Sequence, residues 1–156
     1  MNNLVSNKKF MALSLEQRRV AVAFDVLAQL KDQQISPRGG AGIFKPTEHK
    51  CYVCAIGASV CALRTSERTT SLKSMVQKYL GDVFGHVLEA TFEGWAESFL
   101  ENAYCIYRNP YALQHLMINI INNDGQLDLT QSTTDIVDPS KRNPLTAEVD
   151  TLTVEV

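Results

Sequence analysis

Apolar residues recur with the spacing of an amphipathic helix in the first part of the chain. Between residues 14 and 31 they are separated by steps of three or one, so they share one face of a helix of roughly four to five turns. Ser14 and Gln17 match the S-x-x-Q capping box that opens many helices. We therefore predict a helix from residue 14 to about residues 31–34. Its apolar face consists of Val20, Ala23, Phe24, Leu27 and Leu30.

The same spacing returns in three later stretches, and each of them predicts a further helix. These predicted helices cover residues 72–84, with Gly81 and Gly85 as candidate breaks, 91–103 and 109–121. For the last of them, Asn109 and Pro110 are the residue types preferred at the N-cap and at the first helical position. Gly125 is the type preferred just beyond a helix, at position C′. The sequence thus predicts both ends of this helix as well as its buried face.

Three of the four cysteines fall within eleven residues, in the run C-Y-V-C-A-I-G-A-S-V-C. As a helix this run is apolar on every side, so we predict a buried, small-residue helix over residues 50–63 at the centre of the fold. Its thiols would pack as small hydrophobic groups. The alternatives are a zinc site formed by Cys51, Cys54 and Cys61, or a redox-active C-x-x-C pair. Because Ala, Ile and Val separate the thiols, we favour the buried helix and predict no cofactor.

A glycine-rich stretch lies between the first helix and the cysteines. Two short apolar patches, at Ile35 and at Phe44, flank the glycines, which predicts a short β hairpin. The alternative is a loop that binds a phosphate or another small ligand. A P-loop would need Ser or Thr after its lysine, whereas Pro46 follows Lys45. The candidate residues of such a ligand loop are Arg38, Gly39, Gly40 and Gly42.

These patterns predict a mainly α fold, a compact bundle of about five helices around the buried small-residue helix. Residues 1–12 are polar and show no periodicity, so we predict a flexible N-terminal arm. Residues 13–126 form the predicted helical domain. Residues 127–156 are acidic, polar and interrupted by proline, which is typical of a flexible tail. Residues 152–156 alternate strictly between apolar and polar types, which fits a short terminal strand, with a frayed end as the alternative that we favour slightly.

Composition and charge narrow the classes of function. The chain has 156 residues, of which 45% are hydrophobic and 21% charged, as expected for a single globular domain. The net charge of −2 argues against a nucleic-acid partner. No apolar run approaches the ~20 residues of a membrane span. The first residues also lack the apolar core of a signal peptide, so we expect a cytoplasmic protein with reduced thiols.

Several of these segments resemble one group of small proteins from phages and prophage-bearing bacteria. The resemblance covers residues 14–126 and rests mainly on C-Y-V-C-A-I-G-A and on the closing helix L-M-I-N-I-I-N-N-D-G. No activity is established for that group, so it assigns no catalytic residues to this chain. The resemblance implies an accessory protein of a mobile element, and small proteins of that kind often bind and block host machinery.

The sequence contains no compact catalytic motif. The three histidines are His49, His86 and His115, and none of them forms H-E-x-x-H or a similar signature. We therefore predict no catalytic residues and consider an enzyme less well supported than a binding protein. A thiol-dependent or metal-dependent enzyme stays as an alternative.

A cluster of aromatic residues with one arginine suggests a protein-binding surface. Tyr104, Tyr107 and Tyr111 are spaced at i, i+3 and i+7 around the break between two predicted helices, and Arg108 lies among them. Tyrosine and arginine are among the residues that most often anchor protein interfaces. We expect stoichiometric binding to a host protein. Such binding would inhibit the partner, and a host defence system is one candidate target. A protein that sequesters a small ligand or nucleotide through the glycine loop is the alternative.

Overall fold

The computed structural model describes residues 4–33, 35–37, 44–46, 51–53, 63, 72–81, 111–128 and 135–146. Its helices are α1 (Lys8–Ala12), α2 (Leu15–Lys31), α3 (Leu72–Leu80) and α4 (Ala112–Asn122). Its strands are β1 (Ile35–Pro37), β2 (Phe44–Pro46) and β3 (Cys51–Val53). This described part is mainly α-helical, which confirms the predicted fold class. The predicted helix over residues 91–103 lies outside it.

Helix α2 begins and ends where the sequence predicts. The Ser14 hydroxyl accepts a hydrogen bond from the backbone N–H of Gln17 at 3.2 Å, and the Gln17 side chain accepts one from the N–H of Ser14 at 3.2 Å. This reciprocal pair satisfies two of the N–H groups that a helix start leaves without partners. At the other end, Gln33 adopts a left-handed conformation with φ of 60° and stops the helix.

Helices α3 and α4 confirm two further predicted helices; α3 ends at a candidate break named from the sequence, whereas the ends of α4 are shifted. Helix α3 ends at Leu80, where Gly81 adopts φ of 101°. Helix α4 has Tyr111 as its N-cap rather than the predicted Asn109. The hydrogen bond from His115 N–H to the Tyr111 carbonyl, at 3.0 Å, closes its first described turn. Residue preferences fix which face of a helix is buried more firmly than they fix its first turn.

The end of α4 is a Schellman motif, which places the predicted terminal glycine one residue further along than expected. Gly125 N–H donates to the Ile120 carbonyl at 2.9 Å, and Asp124 N–H donates to the Ile121 carbonyl at 3.2 Å. Asp124 therefore occupies C′ with φ of 54°, and Gly125 follows it with φ of 94°. Two successive left-handed residues reverse the chain sharply at this point.

The start of the predicted cysteine helix is a strand, so that prediction is wrong for residues 51–53. Strand β3 lies at the centre of a sheet with the order β1-β3-β2, parallel to β1 and antiparallel to β2. The predicted hairpin is also corrected, because β1 and β2 are separated by β3. A short apolar run fits a buried strand as well as a buried helix, and only its hydrogen-bonding neighbours decide between them. The two outer strands carry Pro37 and Pro46, as outer strands can.

The core lies between α2, α3 and α4. The side chains with no exposed surface there include Val22 and Val26 of α2, Val76 of α3 and Leu116 and Ile120 of α4. Burying a side chain of this size from water stabilises the fold by roughly 1.5–3 kcal/mol. The core thus fixes the relative positions of the three helices.

Part of the predicted flexible N-terminal arm belongs to the folded core. Leu4 is 2% exposed and Phe10 of α1 is not exposed at all. The Asn7 side chain caps α1 by accepting from Lys9 N–H at 2.8 Å and from Phe10 N–H at 3.3 Å. The apolar residues of this segment show no periodicity in the sequence, yet Leu4 and Phe10 both pack into the core. Residues 4–12 are therefore ordered against the helices.

Part of the predicted flexible tail also packs on the helices. Leu127 and Leu145 are partly buried against the core. We call residues 135–146 the C-terminal strap. The Lys9 ammonium donates to the Leu145 carbonyl, and Lys141 forms an ion pair with Asp124 at 2.5 Å. A polar composition does not reveal such contacts, because each of them joins the strap to a residue far away in the sequence. The predicted strand at residues 152–156 lies outside the described residues.

Candidate functional site

Helices α2 and α4 pack side by side and run in opposite directions. Gly125, just after α4, lies against the backbone of Glu16 near the start of α2. Ile118, in the middle of α4, lines the same cavity as Leu27 and Leu30 near the end of α2. The C-terminal half of α2 therefore faces the N-terminal half of α4, and both line an open space there.

That space is a groove of about 580 Å³, which we call the α2–α4 groove. Two helices and the strap form its walls. The described residues that line it are Leu27, Leu30, Lys31, Gln114, Ile118, Asp135 and Ile136. Four of these are aliphatic and three are polar or charged. Its volume is within the range of about 300–1,000 Å³ typical of ligand-binding sites, and the mixed lining is typical of them too.

Tyr111 extends this surface along α4. It precedes Gln114 by three residues and Ile118 by seven, so the three share one helix face. Tyr111 is 62% exposed. Its ring stacks on that of His115, with 6.3 Å between centroids and an angle of 22° between planes. One residue of the predicted tyrosine surface thus lies on the helix face that lines the groove.

The other candidate residues fall largely outside the described residues. This applies to Tyr104, Tyr107 and Arg108 of the predicted interface, to Arg38, Gly39, Gly40 and Gly42 of the predicted ligand loop, and to Cys54 and Cys61. Cys51 lies at the start of β3. Within the part of the chain that the structure describes, no three His, Cys, Asp or Glu side chains gather as metal ligands would.

Asn122 of α4 holds the strap at the wall of the groove. Its Nδ2 donates to the Asp135 carbonyl at 3.0 Å, and its Oδ1 accepts from Val137 N–H at 3.1 Å. One amide therefore binds the backbone on both sides of Ile136, as a neighbouring strand would. This pair of bonds sets the position of Asp135 and Ile136 at the groove.

A turn follows in the strap after this contact. Ser140 N–H donates to the Asp138 carboxylate at 2.9 Å. Hydrogen bonds from the backbone and side chain of Ser140 lower the pKa of Asp138 from its ordinary value, because they favour the ionised form. The turn directs the following residues toward Asp124, with which Lys141 pairs.

A second asparagine, one turn earlier on α4, holds the chain that leaves the helix. The Asn119 side chain is not exposed at all. Its Nδ2 donates to the Asp128 carbonyl at 2.8 Å, and its Oδ1 accepts from Asp128 N–H at 2.9 Å. Asn123 donates to the same Oδ1 at 3.2 Å. The only signal of these roles in the sequence is the presence of asparagines in the apolar run I-N-I-I-N-N, because an amide on a buried helix face needs a hydrogen-bond partner.

Arg19 of α2 joins the C-terminal ends of two other helices. Its side chain is 8% exposed and donates from Nε to the Leu80 carbonyl at 2.7 Å and from Nη1 to the Gly125 carbonyl at 3.4 Å. Burial lowers the pKa of its guanidinium and the nearby Glu16 carboxylate opposes that effect. A cation at a helix C-terminus is stabilised by the helix dipole. Arg19 thus fixes α3 and α4 against α2, a role that the sequence analysis missed.

Comparison with known proteins adds no relatives. No family model, no curated protein and no solved structure matches the chain. No helix among the described residues is long and apolar enough to cross a membrane. The described residues form a mainly α-helical fold with a groove between two antiparallel helices. The resemblance to phage and prophage proteins stays a prediction.

Proposed function

We propose that the protein is a stoichiometric binding module that captures a partner protein on the α2–α4 groove and the adjoining face of α4. The observation that supports this is the position of exposed Tyr111 on the helix face that continues from Gln114 and Ile118. The groove offers the apolar surface of four aliphatic side chains beside this tyrosine, and tyrosine is among the residues that most often anchor interfaces. A surface of this kind can block a partner by contact alone, without a titrating side chain or a nucleophile.

The walls of the groove are held in place before any partner arrives. Arg19 fixes α4 to α2 at one end, and Asn122 holds the strap against α4. A preformed groove loses little conformational entropy on binding, which leaves more of the contact energy as affinity. This rigidity supports a role in recognition.

The resemblance to proteins of phages and prophage-bearing bacteria suggests the kind of partner. We propose a bacterial host protein in the cytoplasm, and a component of a host defence system is the first partner to test. Binding of this kind would block the partner by occupying its surface, in a one-to-one complex.

The test is partner capture from a bacterial host lysate by immobilised protein, followed by mass spectrometry. Tyr111→Ala should lower capture at least thirtyfold, since truncation of an anchor commonly costs about 2 kcal/mol or more. This variant removes no capping bond, because the Tyr111 side chain does not cap α4.

Leu15→Ala provides the matched control for this experiment. Leu15 is also an exposed large apolar residue of the described part, at 40% exposure. It lies at the far end of α2, about 22 Å from Leu30 at the rise of an α-helix. Leu15→Ala should capture the partner as the natural chain does. If both folded variants capture it equally well, the groove and its tyrosine are not the binding surface.

The volume of the groove also supports a second function, the sequestration of a small ligand. About 580 Å³ can hold a small molecule with both apolar and polar groups. Native mass spectrometry of protein purified from cells tests this directly. A retained molecule of constant mass that is lost on Ile118→Trp, which fills the groove, would favour sequestration over protein capture.

A further inference from the structure

Two opposite charges face the α2–α4 groove from different walls. Lys31 is at the end of α2, and Asp135 is at the start of the strap. Within the described residues neither side chain forms an ion pair, and they do not pair with each other. Leu30 and Ile118 supply apolar surface beside them. Each charge is thus available to an opposite charge on an occupant.

The dimensions of the groove indicate a short piece of chain. From Leu27 to Lys31 the groove follows α2 for about 6 Å, at 1.5 Å per residue. Two residues of an extended peptide cover the same distance, at about 3.3 Å each. Beyond the groove, exposed Tyr111 and 70% exposed Val137 continue the surface. A peptide can pass beyond the groove onto these residues, whereas a compact small molecule ends within it.

We propose that the groove binds a short segment of the partner protein in which one or two apolar residues lie between an acidic and a basic residue. The acidic group pairs with Lys31, the basic group pairs with Asp135, and the apolar side chains lie against Leu30 and Ile118. This inference rests on the proposed function, because it specifies the partner segment that the same groove would recognise.

Four capped octapeptides with a central Leu-Leu test the proposal. The flanking residues are Glu and Lys in the mixed peptide, Glu and Glu in the acidic one, Lys and Lys in the basic one, and Gln and Gln in the neutral one. Titration followed by amide chemical shifts gives a dissociation constant for each peptide and shows whether the shifts are centred on Leu30 and Ile118. The natural protein should prefer the mixed peptide. Each exposed charge pair should change the dissociation constant roughly two- to fivefold.

Charge reversal should exchange these preferences in a defined way. Asp135→Lys leaves two positive charges at the groove and should bind the acidic peptide best. Lys31→Glu leaves two negative charges and should bind the basic peptide best. Asp32→Lys is the matched control, because Asp32 is exposed, does not line the groove and undergoes the same change of charge as Asp135→Lys. This control should keep the preference for the mixed peptide.

Three results would overturn the proposal. One is equal affinity for all four peptides, and another is preferences that do not change in the folded charge-reversal variants. The third is binding of free leucine, a small zwitterion, with the same dependence on Lys31 and Asp135, which would make the ligand a small molecule. If the charge-reversal variants still capture a lysate partner that Tyr111→Ala loses, this inference fails while the proposed function stands.

Discussion

Gly125, just after α4, lies close to the backbone of Glu16 in α2, and Gly125→Ala would disrupt that approach. A Cβ at this position would lie 2.2 Å from the backbone oxygen of Glu16 and 2.7 Å from its carbonyl carbon. The φ of 94° is also one that residues with a side chain rarely adopt. The added methyl group would therefore be unfavourable for two reasons, the steric clash with Glu16 and the left-handed backbone conformation.

The cost can be estimated by adding these two effects. Left-handed backbone costs a non-glycine residue about 1–2 kcal/mol. Because ordinary contacts to a Cβ begin near 3.4 Å, the two backbones must separate by roughly 1 Å. Such a shift in a packed interior costs about 1–3 kcal/mol, and it also strains the bond from Arg19 to the Gly125 carbonyl. Gly125→Ala should thus destabilise the fold by about 2–5 kcal/mol, a large part of a typical domain stability of about 5–15 kcal/mol.

Gly81→Ala separates the two effects, because Gly81 also has a positive φ, of 101°. A Cβ there would meet the end of the Arg19 side chain at 2.6 Å rather than a backbone. Urea unfolding followed by circular dichroism should show a lower midpoint for both variants and a further loss of about 1–3 kcal/mol for Gly125→Ala. If the two variants lose the same stability, the contact with the Glu16 backbone does not limit this position and the reasoning is wrong.

Three further predictions concern the contacts that join distant parts of the chain. Arg19→Met should lower the free energy of unfolding by about 2 kcal/mol or more, since two carbonyls lose their donor. Thermal unfolding should show this loss as a lower melting temperature, and an unchanged melting temperature would contradict the role of Arg19. Asn119→Leu should cost about 2–4 kcal/mol in urea unfolding because Asp128 N–H and C=O lose their partners, whereas Asn122→Leu, at a less buried position, should cost less. Deletion of residues 127–156 should reduce the cooperativity of unfolding more than deletion of residues 135–156, because only the shorter deletion keeps Leu127 and Asp128. Equal effects would show that the hydrogen bonds between Asn119 and Asp128 do not stabilise the fold.

The sequence by itself determined the features that depend on neighbouring residues. The capping box of Ser14 and Gln17 acts within one turn, so the start of α2 could be predicted to the residue. Periodicity fixed the buried faces of α3 and α4, because a helix has the same pitch wherever it lies. On α2 the prediction was wrong in part, since Val22 and Val26 are fully buried there whereas Val20, Phe24, Leu27 and Leu30 of the predicted face are only partly buried. The reversal after α4 was predicted to within one residue, since only a few residue types tolerate left-handed backbone.

Only the tertiary structure decided the features that depend on distant residues. Cys51 belongs to a strand because Ile35 and Pro46 pair with it across the sheet, and its own neighbours suited a helix equally well. Arg19 is a structural cation because chain folding brings the carbonyls of Leu80 and Gly125 to it, 61 and 106 residues away. The groove depends in the same way on three segments that are far apart in the sequence. A local sequence pattern indicates the conformation that a segment prefers. Which residues pair with a buried charge, or with the free edge of a strand, depends on the segments that the fold brings together.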